Sequence, residues 1–132
     1  MAAALPAPVQ GYFDAVHASQ PDALAKCFAE DAEVHFPMQD PVIGRAKIRE
    51  FYAGVFVFYA RRHDEITAVY KSESGNVATE IHFDGATGDG KHVTFDAVDV
   101  FTVRSNKIQK LRIFYDSAKV LQMLGALPSA SR

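Results

Sequence analysis

After Arg62 the hydrophobic period of this chain changes, and that switch limits what it can fold into. Upstream, apolar residues recur at helical spacing. Val9, Tyr12, Phe13 and Val16 fall at i, i+3, i+4 and i+7, the stripe of a helix from about Pro6 to Ala18. Ser19-Gln-Pro-Asp22 has the form of a helix start, and predicts a second, short helix with Leu24, Cys27 and Phe28 inward, running out near Glu30-Asp31. Ala32 to Phe36 reads as a strand stopped by Pro37, and Met38 to Gly44 as a loop. Ile48, Phe51, Tyr52, Val55, Phe56 and Tyr59 then mark a third helix. Downstream the period is two. Strands are expected at about His63–Lys71, Asn76–Asp84, His92–Arg104 and Lys107–Asp116. Hairpin turns are expected at Ser74-Gly75-Asn76 and Ser105-Asn106, and a wider Gly-rich loop at Gly85–Gly90. A last short helix, Ser117 to Leu124, ends at Gly125. Helices followed by a run of antiparallel strands give the α+β class, with the helices packed on one face of a mostly antiparallel sheet.

The 132 residues suit one domain over 1–132, with loose ends expected at about 1–5 and 127–132. Fifteen aromatic residues, 10 Phe and 5 Tyr, exclude a disordered chain. The longest apolar run, near Phe51 to Ala60, is about half the ~20 residues of a spanning helix, so no membrane partner is expected. The start, Met1-Ala-Ala-Ala-Leu-Pro, lacks the basic and long apolar regions of a secretory signal. With 14 Lys+Arg against 16 Asp+Glu and no basic run longer than Arg61-Arg62, no nucleic-acid footprint is expected. The single cysteine, Cys27, has no internal partner and sits on an apolar helix face. A reducing, cytoplasmic setting is the expectation, with Cys27 as core and not nucleophile.

The strand His92–Arg104 carries the chemistry. Alternation puts Val93, Phe95, Ala97, Asp99, Phe101 and Val103 on one face, apolar except for Asp99. A carboxylate there is costly unless paired or neutral, and desolvation raises its pKa. Such an acid is a site candidate; a one-residue bulge would instead turn it to solvent. The opposite face, with Val98 and Val100 among Thr and Asp, either closes a homodimer or is solvated with two tolerated valines. Tyr12 and Tyr52 lie on apolar helix stripes, as core tyrosines or as hydroxyls seeking a partner. Glu80, His82 and Asp84 share a strand face that reads as solvent-facing. The five histidines, at 17, 35, 63, 82 and 92, have no metal-ligand spacing. No phosphate-binding, dinucleotide or nucleophile-elbow motif occurs, so neither metal nor cofactor is expected.

Five strings in order, Pro8-Val-Gln-Gly-Tyr12, Phe28-Ala-Glu-Asp-Ala-Glu-Val34, Gly44-Arg-Ala-Lys-Ile-Arg-Glu-Phe-Tyr52, Ala97-Val-Asp-Val-Phe101 and Lys107-Ile-Gln-Lys-Leu-Arg-Ile-Phe-Tyr115, resemble the NTF2-like superfamily. The resemblance is to its SnoaL-like polyketide cyclase and ketosteroid isomerase branch, and it spans nearly the whole chain. It implies a cone-shaped fold, a strongly curved sheet around a deep apolar pocket, and a dimer. It also implies that Tyr12 is an oxyanion tyrosine, Asp99 a protonated oxyanion acid, and Tyr52 the support of Tyr12. At the family's usual base position, just before a proline, stands Phe36, which takes no proton. His82 or His35 would then have to supply the base, His82 with Asp99 in the manner of a SnoaL-type cyclase. The Asp–Arg–Asp trio of limonene epoxide hydrolases is not expected, because Arg112 faces away from Leu111, Ile113 and Tyr115. The implied pocket is lined by Val16, Phe28, Phe36, Met38, Phe51, Phe56, Phe95, Phe101, Ile113 and Tyr115. The function this implies is an isomerase or cyclase acting on a small apolar oxygen-bearing ring. The alternatives are a non-catalytic binding protein for a hydrophobic small molecule and, last, an interaction module.

Overall fold

The computed structural model describes residues 4–126. The elements are α1 (Ala7–Ala18), α2 (Pro21–Ala25), β1 (Phe28–His35), β2 (Val42–Ile43), α3 (Arg45–Phe58), β3 (Tyr59–Lys71), β4 (Val77–Thr87), β5 (His92–Arg104), β6 (Lys107–Tyr115) and α4 (Ser117–Met123). The strands form one sheet in the order β2-β1-β6-β5-β4-β3. All pairs are antiparallel except β1 with β6, which run parallel. This is an α+β fold with the N-terminal helices packed against a mostly antiparallel sheet. Among the described residues no helix is long and apolar enough to cross a membrane.

The stripe read for α1 is the buried one: Val9, Tyr12, Phe13 and Val16 all lie inside. The reading of Ser19 as the start of the second helix is corrected. Ser19 closes α1 in the left-handed conformation, φ 54°, with its N–H donating to the Val16 carbonyl at 3.2 Å. Its hydroxyl accepts from Arg62. The second helix is also shorter than expected. It stops at Ala25, and Phe28 opens β1 instead of ending a helix. The reason is tertiary. The Ile108 N–H donates to the Cys27 carbonyl at 2.8 Å and Phe28 pairs with Ile108, so the sheet takes residues whose spacing alone suits a helix. The ladder is interrupted between Phe28 and Glu33. There Arg45, at the start of α3, donates from Nε and Nη2 to the freed Phe28 carbonyl at 3.0 and 2.9 Å. Leu5 packs against the core; residues 1–3 of the loose end expected at 1–5, and the loose end expected at 127–132, lie outside the described residues.

The β5 limits agree with the reading from alternation, and its register with β4 runs unbroken from Phe101–Val77 to His92–Ala86. No bulge intervenes at Asp99, which is 7% exposed. On β6, Leu111, Ile113 and Tyr115 share the inner side with β5, opposite Phe101, Asp99 and Ala97. Ser105 and Asn106 join β5 to β6 with φ of 50° and 61°, as a two-residue hairpin with both central residues left-handed requires. On β3, register shifts at Tyr59/Arg61 and Ile66/Ala68 mark bulges, which bend a strand and add twist.

Gly85 on β4 stands where no side chain fits. A Cβ there would lie 2.6 Å from the Phe83 ring and 2.8 Å from the Arg61 carbonyl oxygen. Overpacking of this kind costs about 1–3 kcal/mol. The Gly85→Ala variant is therefore expected to lose that much stability in urea unfolding, at an unchanged slope.

Candidate active site

Between α1, α3, α4 and the inner sheet face lies a cavity of about 580 Å³, within the usual range for a small-molecule site. Its wall is mostly apolar. Val16, Phe36, Met38, Phe51, Phe56, Phe95, Ile113 and Tyr115 line it. Phe28 and Phe101 do not, and their assignment to the lining is corrected. Both are fully buried behind the wall, and their rings meet that of Tyr12 edge-on at 6.1 and 5.4 Å. They fix the tyrosine instead of meeting a ligand. The far side of the lining is an aromatic row, Phe83 stacked on Phe95 at 4.7 Å and Phe95 on Tyr115 at 4.5 Å. Met38 stands 73% exposed beside the opening, at φ 65°.

Three of the polar groups singled out in the sequence meet in this cavity. Tyr12 from α1 and Tyr52 from α3 bring their hydroxyl oxygens to 2.8 Å. Two phenols hold two protons and their mutual bond uses one, so one O–H stays free for a third oxygen. Burial, then the mutual influence of the pair and of Asp99, pushes Tyr12 well above its ordinary range; burial does the same to Tyr52, so both remain protonated. Asp99 from β5 lines the same wall. Burial first, and the charge of Asp64 second, raise its pKa well above the usual carboxylate range. A carboxylic acid held neutral is a hydrogen-bond donor. The site can therefore offer two O–H donors to an oxygen in an apolar space, where developing negative charge is best stabilised.

His82 is not part of it, which corrects its assignment as a catalytic residue. Because Ile81 and Phe83 face inward, His82 faces outward, and its Nδ1 lies 2.8 Å from Asp96 Oδ1. That hydrogen bond raises its pKa. His35 is also excluded as the base: its Nε2 is held by Glu33 at 3.0 Å and it does not reach the cavity. Among the described residues no histidine lines the cavity, and none of the His, Cys, Asp and Glu residues group as a metal site. Val98 is exposed on the outer face, paired with an exposed Phe114.

The two charged residues of the cavity besides Asp99 were missed in the sequence. Arg62 and Asp64 on β3 both line the wall. Their signal was the alternation of Ile66 carried two and four residues back, masked by the charged run from Arg61 to Glu65. With Asp99 they put an arginine and two aspartates on one cavity, so the expectation that no such trio exists is amended. The guanidinium, however, is committed elsewhere. Its Nη1 donates to the Tyr59 carbonyl at 2.7 Å and its Nη2 to the Val16 carbonyl at 3.0 Å, and it lies 4.3 Å over the Phe56 ring. It clamps the ends of α1 and α3 together. Asp64 is raised by burial, against the opposing pull of His17, Arg62 and His63. The His17 ring reaches the Asp64 backbone, its Nε2 3.1 Å from the carbonyl oxygen and 3.2 Å from the amide nitrogen.

A six-stranded, mostly antiparallel sheet with N-terminal helices packed against it is the NTF2-like, ketosteroid isomerase-like class of fold. Residues 9–111 match the SnoaL-like domain, and the chain belongs to that family. It is 33% identical over 117 residues to a protein named steroid Delta-isomerase from Nocardioides simplex, covering 87% of this chain and 92% of that one. Among solved structures it is similar to a hypothetical protein with a ketosteroid isomerase-like fold from Catenulispora acidiphila, solved with trimethylamine (TM-score 0.83, 22% identity, 95% and 96% of the two chains covered). It is also similar to a SnoaL-like polyketide cyclase, so described, from Jannaschia (TM-score 0.81, 20% identity, 92% of each chain covered).

A raised carboxyl makes stability depend on pH with a definite sign. Asp99 is neutral when folded but ionises near pH ~3.9 when unfolded. Its cost to folding is absent below that pH and grows as the pH rises toward its folded pKa. The Asp99→Asn variant should therefore melt higher than the parent at pH 7, with the gap closing toward pH 4. For a chain of this size each 1 kcal/mol of difference corresponds to about 4 °C. Parallel melting curves at the two pH values check it.

Proposed function

We propose that this protein is a proton-transfer isomerase for a small, apolar ketone whose carbonyl lies on a ring. What carries the reading is the neutral Asp99 lining the same apolar cavity as the Tyr12–Tyr52 pair. A carbonyl that gains enolate character would receive hydrogen bonds from Asp99 and from Tyr12, with Tyr52 holding Tyr12. Such donors act in a dry site without the reorganisation that water requires. The relative named a steroid Delta-isomerase supports this class of substrate. The half-apolar outer face, where Val98 and Phe114 are exposed, is where a second copy would pair.

A carrier of a hydrophobic small molecule is the second reading. Phe36, packed on Phe51 at 5.1 Å and on Tyr115 at 5.8 Å, favours it, since it fills the family's base position with an inert ring. A β,γ-unsaturated cyclic ketone separates the two: an isomerase converts it to the conjugated ketone, a carrier returns it unchanged.

For the isomerase, removing one donor is expected to lower kcat by about 10²–10³. Both Tyr12→Phe and Asp99→Leu should show losses of that order, read from the ultraviolet absorption of the conjugated product.

A further inference from the structure

We infer that Asp64 on β3 is the general base of this site, taking the place that Phe36 leaves empty of chemistry. The inference rests on the isomerase reading above. Few groups on the cavity wall can act as a base. The ionisable groups lining it are Asp64, Asp99, Arg62 and four tyrosines, Tyr12, Tyr52, Tyr59 and Tyr115. A base must be unprotonated and able to take up a proton near neutral pH. The tyrosines are all raised by burial, Tyr115 to about 12, so they hold their protons. Arg62 is a cation bonded to backbone carbonyls. The histidines are elsewhere. That leaves two carboxyls.

Position divides their roles. Asp64 pairs across the ladder with Phe83, and Phe83 with Phe95. Asp99 lies four residues beyond Phe95 on β5. The two acids thus occupy separate points of one wall, two strands apart, as a donor to the carbonyl oxygen and a base at a ring carbon must. Their surroundings differ in the same sense. Asp99 has only burial and the repelling Asp64 acting on it. Asp64 is buried as well, but His17 from α1 and Arg62 and His63 from its own strand favour its charged form. Across the cavity it faces Asp99, Tyr12 and Tyr52, each made harder to ionise by its charge. Carboxyls whose environments push their pKa values apart are the arrangement that assigns one as acid and the other as base. The contact from His17 to the Asp64 backbone holds this stretch of β3 against α1, which carries Tyr12.

The step balances within the substrate. The Asp64 carboxylate removes a proton from the carbon between the carbonyl and the C=C bond. The C–H electron pair moves into a dienolate, whose oxygen is held by Asp99 and Tyr12. The Asp64 carboxylic acid then returns the proton to the far carbon. The double bond is now conjugated, the carboxylate is regenerated, and no atom or electron is gained or lost.

The test uses two probes on the full chain. Cyclohex-3-en-1-one reports proton transfer, and 2-naphthol, whose ionised form imitates the dienolate oxygen, reports the oxyanion site alone. In Asp64→Asn, kcat should fall about 10³-fold, within the range for loss of a general base. Binding of 2-naphthol should stay equal or tighten, because a negative charge beside the ligand is gone. Asp64→Glu should recover part of the rate. Turnover in Asp64→Asn within threefold of the parent overturns the assignment. So does a loss of turnover and naphthol binding together, which marks a merely structural residue. So does a parent protein that binds 2-naphthol yet leaves the ketone unchanged, though the oxyanion site then stands. A parent that neither binds 2-naphthol nor converts the ketone overturns the isomerase reading first, and this assignment with it.

Discussion

Strand β5 is hydrogen-bonded along both edges, to β4 on one side and β6 on the other, and so it cannot slide. A slip of one residue would turn every side chain to the opposite face. That constraint decides what the cavity contains. With the register fixed, Phe95, Ala97, Asp99 and Phe101 point inward in sequence. Phe95 supplies the aromatic wall and Ala97 gives space. Asp99 supplies the acid, and Phe101 backs the ring of Tyr12. Helix α1 is then seated on this row, and Arg62 and His17 tie it to β3.

The same apolar wall that would bind a ring governs the acids set into it. For both Asp99 and Asp64, removal from water is the largest influence and outweighs any neighbouring charge. The ordering between them comes from smaller contributions of opposite sign. Asp99 has a like charge for company and Asp64 has three basic side chains. One wall thus holds two acids, both raised by burial, with Asp64 alone drawn back toward its charged form by its neighbours.

Much of this was legible in advance where one local signal acted alone. The α1 stripe and the whole of β5 follow from periodicity, because a strand in an unbroken ladder keeps its alternation. The acid at 99 was found for that reason, and the tyrosines through family resemblance, since spacing cannot tell a core phenol from a site phenol. Phe28 was misplaced because five residues of helix give too few turns to establish a period, and pairing with β6 decides the matter from most of the chain away. Phe101 faces inward as read, but whether an inward ring lines a cavity or stands behind it depends on what packs above it. Asp64 was hidden in a run of charges, where five ionisable residues in a row look like solvated surface. Only their alternation, set by Ile66, separates the two that point inward.

The parallel seam between β1 and β6 has a consequence in time. It joins a strand near the beginning of the chain to the last strand, with Val34 beside Leu111. Every other strand contact of β6 is with β5, its neighbour in sequence. The cavity wall therefore remains open until synthesis has passed Tyr115, and the early helices have no finished surface to settle on before then. Closing so long a loop slows folding relative to helical chains of similar length. The seam cannot form before β6 has been made, and a chain cut short of β6 would leave Phe28 and Val34 on an unpaired, adhesive edge.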